Sequence, residues 1–502
     1  MPACTWPRTR PGSSPARAWK STADAAYKPC RRAAWRRRVT GAECGGGSIG
    51  SAGSLRRGRA EGTEPQPARI QNNTGDPMAT TTPPIGPGAA ALPPQSASGF
   101  EQATYRKVSW RLIPFLLLCY VVAYLDRVNV GFAKLQMLSD LKFSETVYGL
   151  GAGIFFIGYF LFEVPSNVIL HRVGARMWIA RIMISWGIIS AAMMFVTTPA
   201  MFYAMRFLLG LAEAGFFPGI ILYLTYWYPA HRRGRTITFF MTAVALSGVI
   251  GGPISGWALK TFAGVYGLAG WQWMFVIEGI PSIIIGLCVL AYLDNRIRDA
   301  TWLTDEEKAL LARNIAAEEA QKEDAPIATV MTSPRVWLMS LIYFSFVMGL
   351  YGVSFWLPTL IKQTGVADPL AVGLLTAIPY GAAVIAMVLV ARSADRTRER
   401  RWHIAIPALA GAIGLVLSAV WHADTALAMA ALTLGTMGIL TTLPLFWSLP
   451  TAFLAGTGAA AGIALINSLG NLAGFLSPYA VGWLKDTTQS TDSGMYLLPH
   501  RW

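Results

Sequence analysis

The strongest constraint on the fold is a series of apolar segments, each long enough to cross a lipid bilayer as a helix. Glycine and proline interrupt many of them, which suits close packing of helices inside lipid. A chain with 53% hydrophobic and 14% charged residues is also too apolar for an ordinary soluble globule. The sequence therefore predicts an all-α polytopic membrane protein with eleven recognisable spans. We place these spans at residues 109–133, 146–170, 177–197, 200–227, 236–260, 272–293, 335–362, 370–391, 402–420, 425–449 and 459–484.

The distribution of arginine among the connections predicts the orientation of the spans. Lysine and arginine are enriched in the cytoplasmic loops of membrane proteins. The connections after the second, fourth and eighth spans are basic, whereas those after the third and fifth carry almost no charge. We therefore expect a multi-pass protein of the inner (plasma) membrane with its N-terminus in the cytoplasm. The arginines of the basic connections are Arg172, Arg176, Arg232, Arg233, Arg235, Arg392, Arg396, Arg398, Arg400 and Arg401.

Both ends of the chain differ from this apolar region. Residues 1–77 contain 14 Lys and Arg against 5 Asp and Glu, so they hold +9 of the total charge of +15. This segment lacks apolar periodicity, so we expect residues 1–99 to form a disordered basic extension. A transit peptide and a reading frame extended upstream of Met78 both fit its composition, and we favour the second. Residues 487–502 form a polar tail that cannot span a bilayer.

The two halves of the apolar region are related in sequence. A shift of about 225 residues superposes the basic motif at 172–176 on the one at 396–400. The same shift places the Gly-Pro motif at 252–257 near the Ser-Pro motif at 477–483. Parallel repeats of this kind build one large class of secondary transporters, in which the substrate lies between the halves.

The longest interior loop separates these halves and begins with a helix signal. Thr304 followed by Glu307 is the pattern of a capping box, and a short apolar stripe follows it, so we expect an interfacial helix here. The expected organisation is an N-terminal six-helix bundle at 100–293, a cytoplasmic linker at 294–334 and a C-terminal bundle of five helices at 335–486.

A charged cluster inside the first span is the clearest functional signal. Asp126 and Arg127 are adjacent, with Asn129 close by, and an ionisable side chain at membrane depth costs roughly 2.5 to 3.5 kcal/mol. Neighbouring residues of a helix point about 100° apart, so each of these side chains should find its partners on other helices. The alternative is a helix that ends before Asp126 and leaves both charges in a wet loop.

A second charged pair lies in the fourth span. Arg206 and Glu213 are seven residues apart, which places them two turns apart on one helical face. The alternative for this pair is purely structural, with Arg206 at a helix end reaching the interface and Glu213 in an interhelical hydrogen bond.

Four stretches of the chain resemble a known family. They are YLDRVNVGFA, GAGIFFIGYFLFEVPSN, RVGARMWIARI and MRFLLGLAEAGFFPGIILYLTYWYP. They closely resemble the anion:cation symporter family of the major facilitator superfamily, which includes tartrate, phthalate, hydroxyphenylacetate and sugar-acid permeases. The resemblance covers residues 100–484 and implies two six-helix bundles, alternating access and proton-driven uptake of an organic carboxylate. The twelfth helix of the family has no counterpart, which puts transport by the chain as written in doubt.

The resemblance also implies roles for individual residues. Arg127 looks like the anchor for the substrate carboxylate, and Asn471 resembles the position that reaches the substrate's hydroxyls. Asp126 and Glu213 look like the proton-carrying acids, and Arg206 resembles the counter-charge of Glu213. Tyr124 and Tyr159 are further candidates for contacts with the substrate. The basic connections resemble the superfamily's gating motif, although His171 replaces its usual acid; the residues concerned are Arg172, Arg176, Asp395 and Arg396.

Other residues are assigned more modest roles. An aromatic stripe in the seventh span, formed by Tyr351, Phe355 and Trp356, fits the core better than the cavity. Asn467 is a second polar position one turn from the proposed substrate contact in the eleventh span. We interpret Glu163, Glu278, His171 and His231 as structural or loop-facing residues.

No pattern in the sequence indicates an enzyme. Metal-ligand spacing, a P-loop and a pairing of nucleophile with base are all missing. We expect no cofactor, with the proton as coupling ion, and a monomer in the lipid bilayer whose partners are a small organic anion and protons, and no nucleic acid. The alternatives are an inactive or non-transporting membrane protein and an exporter or facilitator of another small molecule.

Overall fold

The computed structural model describes residues 94–320, 327–450, 454 and 456–488. The expectations for most of the N-terminal extension and for the tail after residue 488 lie outside these residues. Within them the secondary structure is helical, and no strand is present. The all-α prediction is therefore confirmed for the described part of the chain.

Fifteen α-helices make up this part of the chain. They are α1 (Pro94–Val128), α2 (Val130–Leu141), α3 (Glu145–Val173), α4 (Ala175–Ala192), α5 (Pro199–Glu213), α6 (Phe216–Thr225), α7 (Ala230–Thr261), α8 (Gly270–Tyr292), α9 (Asp305–Ala320), α10 (Ile327–Met331), α11 (Pro334–Gln363), α12 (Pro369–Thr397), α13 (Arg401–Val420), α14 (Thr425–Phe446) and α15 (Gly456–Thr488).

The predicted spans agree with these helices. Ten spans in the described residues are long and apolar enough to cross a membrane, and they correspond to the first ten predicted segments. The eleventh predicted segment lies in α15, which is 33 residues long and packs along α3 and α11. The described connections alternate between two ends of the molecule. We call the end with the connections at 174, 226–229 and 398–400 the arginine-rich end, and the other the opposite end.

One span is interrupted beside its charged residue. The first span continues from α1 into α2 through Asn129, whose backbone is helical and whose amide donates to Leu125 at 3.0 Å. The fourth span is divided directly after Glu213, where Gly215 has a left-handed backbone with φ +84°. Irregular backbone at membrane depth is tolerated where it lies inside the protein, and it recurs at transporter binding sites. The predicted first span is therefore confirmed as continuous, whereas the predicted fourth span is broken at residues 214–215.

The two halves meet through helix pairs that follow the internal repeat. Helix α3 packs along α15, α7 packs along α12, and α2 contacts α11. A shift of six spans turns the second span into the eighth and the fifth into the eleventh. Helices α3 and α15 are the second and eleventh spans, and α7 and α12 are the fifth and eighth. The shift therefore turns the contact between α3 and α15 into the contact between α12 and α7, as a twofold relation between the halves requires.

Close contact between the halves is concentrated at the opposite end. A Cβ atom at Gly149 would lie 2.4 Å from the Pro478 carbonyl oxygen, so only glycine lets the two helices approach this far. Nearby, Lys485 contacts the Glu145 carboxylate at 2.5 Å. Lys260 likewise donates a hydrogen bond to Asp368 at 3.0 Å, and this bond holds the pKa of that carboxyl below its usual value.

The linker helix α9 packs on the first half at the arginine-rich end. The predicted capping box is confirmed: the Thr304 amide donates to Glu307 at 2.9 Å, and the Glu307 amide donates to the Thr304 hydroxyl at 3.2 Å. Lys107 of α1 pairs with Glu307 at 2.8 Å. Partial burial alone would raise the pKa of Glu307, but the bonds from Lys107 and the Thr304 amide hold it below its usual value.

Candidate functional site

A small cavity lies between the two halves, beside Arg127 of the first span and near the break in the fourth span. Both halves contribute to its wall, which is mostly aromatic and aliphatic with a few polar groups, as is typical of small-molecule sites. The predicted substrate contacts Arg127, Tyr124, Tyr159 and Asn471 all line it. The other lining residues are Tyr120, Phe217, Met241, Val244, Tyr343, Val347, Leu350, Tyr351, Leu443 and Asn467.

Arg127 is the positively charged group of this cavity. Its Nε donates to Glu213 Oε1 at 3.1 Å, and its Nη2 makes a closer contact with the same oxygen. Its Nη1 donates to the Tyr351 hydroxyl of the second half at 2.9 Å. The guanidinium also lies 5.3 Å from the ring centre of Tyr159 and 5.6 Å from that of Tyr124. One arginine therefore joins an acid, the aromatic wall and the second half.

Arg206 does not pair with Glu213, contrary to the sequence expectation. Its Nε and Nη2 donate to the backbone carbonyls of Gly151 and Ala152, each at 3.3 Å, and the side chain is fully buried. The reason is distance along the helix, because seven residues separate the two α-carbons by about 10 Å. Glu213 is instead close to Arg127 from α1. Arg206 thus holds α5 against α3.

Asp126 faces away from the cavity into the first half. It accepts hydrogen bonds from Ser190 at 2.8 Å and from Trp186 at 3.1 Å on α4, and a closer one from Ser282 on α8. Adjacent helical residues point in different directions, so Asp126 and Arg127 serve different surroundings. The prediction that each finds partners on other helices is confirmed. The alternative of a wet loop is excluded, since both side chains are buried.

Glu163, interpreted from the sequence as structural or loop-facing, does not face a loop. It is buried in α3 and accepts a hydrogen bond at 2.5 Å from the Asn467 amide of α15, which lines the cavity. The Ser468 hydroxyl donates to its second oxygen at 3.4 Å. The side chain therefore links the two halves instead of facing a loop. The signal was available, because Glu163 lies inside a predicted span, as Asp126 does.

The seventh span contributes more to the site than its aromatic stripe suggested. Tyr351 lines the cavity and contacts Arg127, whereas Phe355 stacks on Tyr351 and lies behind it. Trp356 lies elsewhere, with the Lys134 ammonium 3.3 Å from the centre of its ring. A stripe that was assigned to the core is thus divided between cavity and core.

The predicted gating residues are on the surface of the arginine-rich end. Arg172, Arg176 and Arg396 are exposed, and Asp395 pairs with Arg400 at 3.1 Å. The turn between α3 and α4 is tied to the end of α8, because the Arg176 amide donates to Asn295 at 3.0 Å. The role of these residues in gating stays a prediction.

The described residues contain no group of His, Cys, Asp and Glu that could hold a metal ion. The arrangement they do contain is a helical membrane protein with a central cavity between two related halves, which defines a transporter.

Comparison with known proteins identifies the family. A model described as Major Facilitator Superfamily matches residues 116–478. A putative metabolite transport protein of Pseudomonas putida is 49% identical over 398 residues, covering 79% of this chain and 91% of that protein. A putative tartrate transporter of Agrobacterium vitis is 52% identical over 403 residues, with coverages of 80% and 92%. The chain belongs to the Major Facilitator Superfamily, and these relatives agree with its anion:cation symporter branch.

The fold is also that of a solved transporter. The xylose transporter of Escherichia coli, in a partially occluded inward-open conformation, matches with a TM-score of 0.62 at 15% identity. The match covers 78% of this chain and 96% of the xylose transporter. The family match and the relatives named as transporters show that the chain is a multi-pass membrane transporter for a small molecule and not an enzyme.

Proposed function

We propose that the protein is a symporter that carries a small organic carboxylate into the cell together with protons. The observation that carries this proposal is the buried guanidinium of Arg127 on the cavity wall. A guanidinium binds a carboxylate through two parallel hydrogen bonds and stays ionised at physiological pH. The relative named as a putative tartrate transporter supports a hydroxy acid or sugar acid as substrate.

The proposed binding step is an exchange of carboxylates on Arg127. In the structure, Glu213 at the end of α5 forms an ion pair with the Arg127 guanidinium. A substrate carboxylate that enters the cavity takes over the donors of Arg127 and releases Glu213. Tyr124, Tyr159, Asn467 and Asn471 then offer hydroxyl and amide groups to the remainder of the substrate.

The exchange couples binding to protonation. A carboxylate left ionised and unpaired inside a protein carries a penalty of about 3 to 5 kcal/mol. Protonating a carboxyl of ordinary pKa at neutral pH costs about 4 kcal/mol or less, so the released acid takes up a proton. Substrate binding therefore draws a proton onto Glu213, and each favours the other by thermodynamic reciprocity.

Asp126 is proposed as the second proton-carrying acid. It has three hydrogen-bond donors around it, from Trp186, Ser190 and Ser282, and no basic side chain pairs with it in the part of the chain that the structure describes. Its neighbour in sequence, Arg127, is already occupied by Glu213. Asp126 can therefore gain or lose a proton without breaking an ion pair.

The direction of access follows from the placement of the contacts. With the arginine-rich end in the cytoplasm, the close contacts between Gly149 and Pro478 and between Lys485 and Glu145 lie on the outer side. We therefore assign the structure to a state closed to the outside. In alternating access the same contacts separate when the substrate is loaded.

The test is uptake into proteoliposomes that contain the purified protein. Radiolabelled tartrate, gluconate and phthalate are compared with neutral xylose, under an acid-outside pH gradient and without one. We expect at least one carboxylate to accumulate above equilibrium only with the gradient, and a protonophore to abolish the accumulation. Accumulation of xylose contradicts the proposal, and so does carboxylate uptake that is equal with and without the pH gradient.

A further inference from the structure

A second polar cluster lies beside Asp126, outside the cavity described above. It contains Glu278 of α8, Ser255 of α7 and Asn129 at the junction of α1 and α2. All three are buried, with exposed fractions of 2%, 1% and 1%. The Ser255 hydroxyl donates to Glu278 Oε1 at 2.5 Å. Neither the binding of the carboxylate nor its exchange with Glu213 uses this cluster.

Several atoms of the cluster have no protein partner among the described residues. They are Oε2 of Glu278 and both amide atoms of Asn129. Buried polar atoms without partners are uncommon, and they mark positions where a water molecule or an ion completes the site.

The charges in this region do not balance when both acids are ionised. Ser282, one turn along α8 from Glu278, donates to Asp126, so the two acids lie near each other. No lysine or arginine forms an ion pair with either acid in the described ranges. Two neighbouring carboxylates without a cation cannot both remain ionised inside a low-dielectric interior. The pair must therefore hold at least one proton.

Hydroxyl groups lie on both sides of Glu278, and one gap in the path, at its unpartnered Oε2, is left for a water molecule. Ser282 lies one turn beyond Glu278 on the same face of α8 and donates to Asp126. On the other side of Glu278, Ser255 and Asn129 line a second small cavity between the halves.

This second cavity lies towards the opposite end of the molecule. Glu278 is eight residues, or about 12 Å, from the start of α8 at that end. Asp126 is fifteen residues, or about 22 Å, from the end of α2 at the same side. Glu278 is therefore nearer to that end than Asp126 is, and Ser255 connects it to the second cavity.

We propose that Glu278 is a proton-relay residue, which passes protons between the second cavity and Asp126. The proposal rests on the proton coupling inferred above. A protonated Glu278 gives its proton to a water molecule at its unpartnered Oε2, that water gives one to the Ser282 hydroxyl, and the hydroxyl gives its own to the Asp126 carboxylate. Glu278 is left ionised and takes up a new proton from water in the second cavity. The step needs no redox partner, and charge is conserved in each transfer.

The relay gives protons a route that is separate from the substrate's. The carboxylate reaches Arg127 in the central cavity, while protons reach Asp126 through the interior of the first half. Separate routes explain why Asp126 faces away from the cavity although its neighbour Arg127 lines it.

The test compares Glu278→Gln and Glu278→Asp with the parent in proteoliposomes. The probe is the carboxylate of the panel that the parent exchanges fastest. Substrate exchange at equal pH needs no net proton movement, and we expect both variants to stay within about twofold of the parent. For uptake driven by a pH gradient, we expect a loss of at least tenfold in Glu278→Gln and a partial return in Glu278→Asp, which keeps a titratable group.

Two serine variants guard against a general effect of substitution. Ser255→Ala removes the hydroxyl that holds Glu278, and we expect a loss of gradient-driven uptake of about threefold. Ser418→Ala is the matched control, because Ser418 is also buried but bonds the backbone of Leu415 far from the path. It should leave both measurements unchanged.

The outcomes separate the two proposals. If uptake by the parent does not depend on the pH gradient, proton coupling is contradicted, and the relay is contradicted with it. A parent that is coupled, together with a Glu278→Gln variant of unchanged coupling, overturns the relay alone. Equal losses of exchange and of driven uptake in Glu278→Gln make the residue structural and also overturn the relay. If a sodium gradient drives uptake by the parent at equal pH but does not drive uptake by Glu278→Gln, the cluster binds sodium and the relay is overturned.

Discussion

The two halves of the transporter share a repeated fold but differ in buried charge. Among the described residues, every buried charged side chain belongs to the first half. The second half has buried hydroxyls and a buried amide, and no buried charge in its described residues. The charged side chains are Asp126, Arg127, Lys134, Glu163, Arg206, Glu213 and Glu278.

This difference shows how the work of the protein is divided. A charge at membrane depth is unfavourable by several kcal/mol, so seven of them in one bundle are maintained for a purpose. The repeated fold does not require them, because the second half packs without any. We infer that the first half binds the anion and the protons, while the second half contributes neutral groups such as Tyr351 and Asn471 and moves against it.

The largest expected effect comes from Glu213→Gln. The substitution keeps the shape of the side chain but removes the acid that exchanges with substrate on Arg127. Accumulation against a gradient should fall by at least a hundredfold, whereas substrate exchange at equal pH survives. Parallel assays of accumulation and exchange in the same proteoliposomes check this. A variant that still concentrates the carboxylate would move the coupling role to another residue.

Arg127→Lys should have the next largest effect. It retains the positive charge but loses the planar fork that makes two parallel hydrogen bonds. We expect substrate binding to weaken by about 2 to 3 kcal/mol, or roughly 30-fold to 150-fold. Isothermal titration calorimetry measures this directly. Equal binding constants for parent and variant would show that charge alone attracts the substrate.

Gly149→Val tests the contact between the halves at the opposite end. A side chain there meets the Pro478 carbonyl, so the closed state should lose about 1 to 3 kcal/mol. Ser354 lines the second cavity, and a cysteine placed there, with the five native cysteines removed, reports outside access to a membrane-impermeant thiol reagent. We expect faster labelling in the valine variant.

The matched control for this experiment is Gly381→Val. A Cβ atom at Gly381 meets no other group within 4 Å. Its labelling rate should equal that of the parent. Equal rates in both glycine variants would mean that the packing of α3 on α15 does not hold the outer side closed.

The smallest expected effect lies in the second half. Tyr351→Phe removes one neutral hydroxyl that accepts from Arg127 at 2.9 Å. A hydrogen bond to a charged group contributes about 1.5 kcal/mol, so binding should weaken about tenfold or less. A calorimetric loss as large as that of Arg127→Lys would contradict the division of roles between the halves.

The helices and the main charges of the site could be predicted from the sequence. Apolar length located ten of the spans, and the cost of buried charge singled out Asp126 and Arg127. The same argument applied to Glu163 and Glu278, which also lie inside predicted spans. Neither acid has a charged residue on its own helical face, as Glu213 has in Arg206.

The partners of the charged residues could not be read from the sequence. Helical spacing placed Arg206 and Glu213 on one face, but it says nothing of a third side chain arriving from α1. Which groups meet depends on the packing of distant segments, as in the contact between Glu163 and Asn467. The interruption after Glu213 is equally hidden, because Gly215 is one of 49 glycines in the chain.

The central claim is that substrate and Glu213 compete for Arg127, and a proton count tests it most directly. Purified protein in weakly buffered detergent solution is mixed with the transported carboxylate, and a pH indicator records proton exchange. The account predicts that the parent takes up about one proton per bound substrate, so the solution becomes more alkaline. Glu213→Gln should bind substrate with no proton uptake. Binding by the parent without proton uptake, or equal uptake by both proteins, would contradict the account.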